Sequence, residues 1–112
     1  LIASKNKLDN LVIIVDYNKI QALDFLKDGL PLNDLSLKFK SFNCEVYNVK
    51  NGHSFKEIDK ALKKVNQKNK PKVILLNTIK GKGIKEFENN PKWHARVLKG
   101  EEMSLGKKRL GL

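Results

Sequence analysis

The chain has 112 residues, with 23 lysines and arginines against 12 aspartates and glutamates, and a formal charge of +11. That length accommodates one domain with a modest core, and a single cysteine excludes an internal disulfide framework. No apolar run approaches the roughly 18 residues of a membrane-spanning helix. The expectation is therefore no membrane partner and, with a lone thiol, a reducing, cytoplasmic setting. The positive balance admits a polyanionic partner. The lysines are scattered, however, with no arginine cluster and no interleaved aromatics, which reads as general lysine richness rather than a nucleic-acid surface.

Leu1 to Lys7 reads as the end of a helix, so the chain reads as a piece of a longer one. Leu11-Val12-Ile13-Ile14-Val15 is apolar throughout and mostly β-branched, the pattern of a strand buried on both faces. It ends in Asp16-Tyr17-Asn18. Gln21 to Leu30 has no period and reads as a loop. Leu32, Leu35, Phe39 and Phe42 fall at helical spacing after Pro31. Glu45 to Val49 is a second strand, with Cys44 at its start read as a buried strand residue rather than a nucleophile. Asn51-Gly52-His53 is a turn. Ser54 and Glu57 form a capping box, opening a helix whose buried face is Phe55, Ile58, Ala61, Leu62 and Val65. Val73 to Leu76 is a third strand, and Glu101 to Leu112 is weakly helical.

Strands alternating with helices predict an α/β fold, a mostly parallel sheet flanked by helices in three layers. Right-handed crossovers gather the strand carboxyl ends on one edge, where ligands of such sheets bind. Asp16 to Asn18, Asn51 to His53 and Thr78 to Gly81 all fall there. Asn18 offers a neutral oxygen to a hard divalent cation, or simply forms a turn. Lys80-Gly81-Lys82-Gly83 offers N–H groups and ammonium charge to a phosphate, or is a solvated turn. It matches neither the P-loop nor the dinucleotide fingerprint. His94, beside Trp93, is a candidate acid–base or hydrogen-bonding group, or a surface histidine next to a packing indole.

Three stretches occur in order: LDNLVIIVDYNKIQ, PLNDLSLKFKSFNCEVYNVKNGH and PKVILLNTIKGKGIKEFENNPKWH. Together they resemble the N-terminal, diphosphate-binding domain of transketolase, especially the separate N-terminal subunit of enzymes split into two chains. The resemblance covers residues 1–98, leaving 99–112 as a C-terminal tail. It implies the thiamine-diphosphate-binding fold, incomplete on its N-terminal side, and transfer of a two-carbon ketol unit between sugar phosphates. It implies thiamine diphosphate and magnesium, or calcium or manganese, as cofactors. Asn18 matches the asparagine that closes the family's cofactor motif, a metal and diphosphate ligand, and Ile20 matches the backbone-carbonyl ligand two residues on. Lys80 matches a basic residue near the diphosphate. His94, in Trp93-His94-Ala95, matches the histidine of a WHG motif and is the expected catalytic residue, also near the diphosphate.

Two departures stand out. The GDG that opens the family's motif does not occur in this chain, and Ala95 replaces the glycine of WHG. The resemblance implies a larger assembly containing a C-terminal transketolase subunit or domain, as a homodimer or a tetramer with two copies of each subunit. The 112 residues alone are expected to be inactive. Two alternatives remain: an enzyme like deoxyxylulose-phosphate synthase, which shares the KGKG stretch, and a basic α/β module binding nucleic acid. The sequence VDYNKIQ favours transketolase over the synthase.

Overall fold

Three of the chain's apolar runs join into one parallel sheet. The computed structural model describes residues 1–22 and 24–112. In chain order the elements are α1 (Ile2–Lys5), β1 (Val12–Tyr17), β2 (Ile20–Gln21), β3 (Asp24–Phe25), α2 (Leu35–Ser41), β4 (Glu45–Val49), α3 (Phe55–Leu62), β5 (Lys72–Asn77) and α4 (Glu101–Leu110). Two short 3-10 turns, Lys85–Phe87 and Pro91–Trp93, lie between β5 and α4. Among the described residues no helix is long and apolar enough to cross a membrane.

The chain divides into two compact units. The first is Leu1–Asn18 with Leu32–Thr78, and the second is Lys19–Pro31 with Ile79–Leu112. The first holds the sheet, in the order β1-β5-β4, with both pairings parallel. The expected parallel sheet with helices packed on it is thus the observed architecture. Its centre is β5, where Val73, Ile74 and Leu75 are 0%, 0% and 2% exposed. Burial of such side chains stabilises by about 1.5–3 kcal/mol each. Val49, Ala61 and Ile74 form the core cluster, with Leu76 packed against it.

Several sequence expectations need correction in detail. β1 is not buried on both faces: Val12 is 39% and Ile14 54% exposed. It ends the strand order, so it pairs on one side only among the described residues. The strand buried throughout is β5, because it is flanked on both edges. Cys44 stands one residue before β4, half-buried, rather than inside it. Helix α3 buries Ala61 but leaves Phe55 and Val65 each 89% exposed and Leu62 44% exposed. It stops at Leu62, so Val65 falls beyond the helical stripe. Its capping box forms by half. Ser54 Oγ accepts from the Glu57 N–H at 3.3 Å, while the Glu57 carboxylate accepts from the Asn51 N–H at 3.1 Å instead of from Ser54.

Helix α2 begins later than its apolar stripe. Asp34 caps it, accepting from the Leu37 N–H at 2.9 Å, which satisfies one otherwise unpaired donor of the first turn. Phe42 falls past its end and is 44% exposed. In the second unit, Gln21 to Leu30 is not all loop. Ile20 and Gln21 pair antiparallel with Phe25 and Asp24, and Leu23 of that stretch lies outside the described residues. The tail is a helix, α4, closed by Gly111 in the left-handed region at φ 73°, a conformation glycine adopts freely.

Candidate functional site

Parallel pairing places the carboxyl ends of β1, β5 and β4 on one edge, with Tyr17 opposite Asn77 and Leu76 opposite Val49. Polar groups tie this edge together. The Asp16 carboxylate accepts from the Thr78 hydroxyl. Asn77 Nδ2 donates to the Val49 carbonyl at 2.9 Å, and the Gly52 N–H donates to the Asn77 carbonyl at 2.8 Å. Gly52 has no room for a side chain. A Cβ there would lie 2.7 Å from Thr78 Cγ2 and 2.9 Å from the Asn77 oxygen. The His53 N–H donates to Asn51 Oδ1 at 3.1 Å, fixing the turn after β4.

Asn18 follows β1 directly and is half-buried, the last residue of this part of the first unit. The other residues that the sequence singled out belong to the second unit. Ile20 opens β2 opposite Phe25. Before it, Lys19 takes a positive φ of 67°, unusual for a side chain of that size. Its carbonyl accepts from the Leu26 N–H at 2.9 Å. Partial burial pulls the Lys19 ammonium below the ordinary lysine range, because desolvation disfavours the charged form.

Lys80 is half-buried at the head of the glycine turn, and its carbonyl accepts from the Asn89 N–H at 2.9 Å. Gly81 has φ 74°, and a Cβ there would stand 2.5 Å from the Phe87 carbonyl oxygen. Lys82, expected to be merely solvated, lies 3.4 Å from a Glu88 carboxylate oxygen, and the Gly83 N–H donates to the same oxygen at 3.4 Å. The anion on this turn is thus the chain's own Glu88. The sequence pattern gave no role to Glu88. The signal was an acid five residues past Gly83, which acquires meaning only once the turn folds back.

His94 is exposed and ends the Pro91–Trp93 turn, its N–H donating to the Pro91 carbonyl at 3.0 Å. Asn90 opens that turn by accepting from the Lys92 N–H at 3.0 Å. Trp93 is the packing residue beside it. Its ring lies 4.5 Å from Phe87 between centroids, and the Arg96 guanidinium stands 4.8 Å over it, a cation–π arrangement. Phe87, Trp93 and Arg96 line a cleft of about 400 Å³ with Gly81, Gly83 and Leu98.

Among the described residues no three or more His, Cys, Asp or Glu side chains gather as a metal cluster. A divalent cation held with Asn18 and Ile20 would draw on an amide and a carbonyl oxygen, donors that suit magnesium or calcium. Lys80 and the glycine N–H groups suit an anion. In their chemistry these donors fit a metal ion and a diphosphate.

Comparison with known proteins adds the context. The family described as "Transketolase, thiamine diphosphate binding domain" matches residues 1–112. One of the two subunits of the apulose-4-phosphate transketolase of Actinobacillus succinogenes is 40% identical over 105 residues, covering 94% of this chain and 38% of that protein. A 6-deoxy-6-sulfo-D-fructose transketolase subunit from a Clostridium species is 35% identical over 102 residues, covering 90% of this chain and 37% of its own length. The crystal structure of Campylobacter jejuni transketolase superposes with a TM-score of 0.83 at 31% identity, over 98% of this chain and 17% of that one. The chain therefore spans well under half the length of the relatives it matches.

Proposed function

The chain belongs to the transketolase family, through its thiamine diphosphate binding domain, and from that premise we propose that it serves as part of a transketolase divided between two subunits. The observation that carries this reading is the family match over the whole chain, together with relatives that are themselves subunits. The reaction is transfer of a two-carbon ketol unit between sugar phosphates, in pentose phosphate interconversion. The partner is a C-terminal transketolase subunit or domain, in a homodimer or a tetramer with two copies of each subunit. A cytoplasmic setting accords with a lone, unpaired cysteine.

Thiamine diphosphate, when bound, supplies the carbanion chemistry. This chain's residues bind and orient. The Asn18 amide oxygen and the Ile20 carbonyl oxygen offer ligands to magnesium, or to calcium or manganese. Lys80 places an ammonium near the diphosphate, where charge-assisted hydrogen bonds are strong. His94 offers an imidazole N–H to a phosphate or sugar oxygen, and can take up or release a proton at that nitrogen. The chain alone carries only this part of the site and is inactive without its partner.

Isothermal titration of the chain with thiamine diphosphate and magnesium tests the assignment. Asn18→Ala and Lys80→Ala are each expected to weaken binding by about tenfold or more, equivalent to about 1.4 kcal/mol. Binding indifferent to both substitutions would overturn it. Assayed alone with ribose 5-phosphate and xylulose 5-phosphate, the chain is expected to give no turnover. Turnover there would refute the divided-site reading.

A further inference from the structure

Strand β4 closes one end of the sheet order, and its outer edge has no strand partner among the described residues. The Glu45 N–H points inward, donating to the Pro71 carbonyl at 2.9 Å. In a parallel ladder, alternate residues turn their N–H and C=O groups to opposite sides. Val46 and Asn48 therefore present theirs outward. Native proteins cover, shorten or charge such edges, because an unpaired edge is a template for another strand.

Two clefts follow this edge and meet at Tyr47. One, of about 480 Å³, includes Lys40 and Lys70, and the other, of about 390 Å³, includes Lys50, Lys60 and Lys64. Lys64 Nζ stands 4.5 Å over the Tyr47 ring. The two acids along the clefts are already engaged. Glu45 accepts from the Tyr47 hydroxyl and from the Gln67 N–H at 2.9 Å, and Glu57 accepts from the Asn51 N–H. None of the five lysines takes part in an ion pair of the described residues.

We propose that the outer edge of β4 is a docking site for an acidic, extended segment of a partner protein, which adds to the sheet as a further strand. The backbone groups of Val46 and Asn48 supply the ladder, and the flanking lysines select negative side chains, so affinity and specificity have separate sources. The charge surplus along the two clefts is the complement of such a segment. The proposal uses none of the residues assigned to the cofactor and stands apart from that reading.

The probe is a short fluorescein-labelled peptide of alternating Glu and Val, titrated with the 112-residue chain by fluorescence anisotropy. Saturable binding is expected. Methylating every backbone nitrogen of the peptide is expected to weaken it by about tenfold or more, because the ladder is lost. The double variant Lys50→Glu/Lys60→Glu, on exposed positions, is expected to weaken it by a similar factor. Hydrogen exchange at the Val46 and Asn48 amides is expected to slow when the peptide is bound. Failure of the peptide to bind, equal binding of the methylated peptide, or unchanged exchange at both amides would each overturn the proposal. So would tighter binding of a single-stranded oligonucleotide of equal charge, which would identify a nucleic-acid surface instead.

Discussion

Lys72 opens β5 at 2% exposure, and its Nζ donates to the Leu62 carbonyl at 3.2 Å and to the Lys64 carbonyl. These are carbonyls left without helical partners where α3 ends, and a lysine is well suited to that end of a helix. Lys72→Met keeps most of the volume but strands two acceptors. Relief of a buried polar head offsets part of that cost, so the expected loss is about 1–2 kcal/mol in urea unfolding. Gly52 makes a second prediction. A Cβ there would meet Thr78 and Asn77 well inside contact distance, so Gly52→Ala is expected to cost about 1–3 kcal/mol, read as a lower urea midpoint at unchanged slope.

Tyr47 carries a pH signature. Its hydrogen bond to Glu45, then burial, then the Glu45 charge push its phenol up from 10.0 to about 12. The folded state thus holds the proton more tightly than the unfolded chain. The resulting stabilisation is fully present below pH 10.0 and is lost as pH rises through about 12. Across that window the wild type should lose stability with pH more steeply than Tyr47→Phe, measured by chemical denaturation at a series of pH values. Equal slopes would remove Tyr47 as the source.

At the level of elements, α4 is tied to the rest of its unit by charge. Arg109 Nε donates to Glu86 Oε1 at 2.8 Å, and Arg96 holds the Glu102 carboxylate at 2.8 and 3.1 Å. The Arg109 guanidinium holds the Glu86 carboxyl below its ordinary value of 4.5. That tie is therefore present above pH 4.5 and weakens as pH falls below it. Amide exchange within α4 should be less protected in Glu86→Gln than in the wild type at neutral pH, and the difference should shrink in acid. Exposed pairs contribute little each, so the effect belongs to the end of α4 and not to the sheet.

The elements were legible in the sequence where a period or a cap announced them. Val73 to Leu76 and Glu45 to Val49 are strands because β-branched runs leave little alternative, and Ser54 marks the start of α3. Which run sits centrally was not legible. Leu11 to Val15 and Val73 to Leu76 are equally apolar, and only strand order separates the exposed β1 from the buried β5. The hairpin of β2 and β3 has two-residue strands, too short to show alternation. At the site, the glycine turn could be read as an anion cradle. Its occupation by Glu88 depends on a fold-back that no spacing rule encodes.

For the whole molecule, the account rests on a parallel sheet whose carboxyl edge carries polar groups, and on membership of a family defined by thiamine diphosphate binding. Trp93 is the only tryptophan and is adjacent to His94, so its fluorescence reports on the neighbourhood assigned to the diphosphate. Titrating the chain with thiamine diphosphate, with and without magnesium, tests the central claim. A saturable change in Trp93 emission that requires magnesium and disappears in Asn18→Ala is the result expected. No change, or the same change without magnesium and in Asn18→Ala, would contradict it.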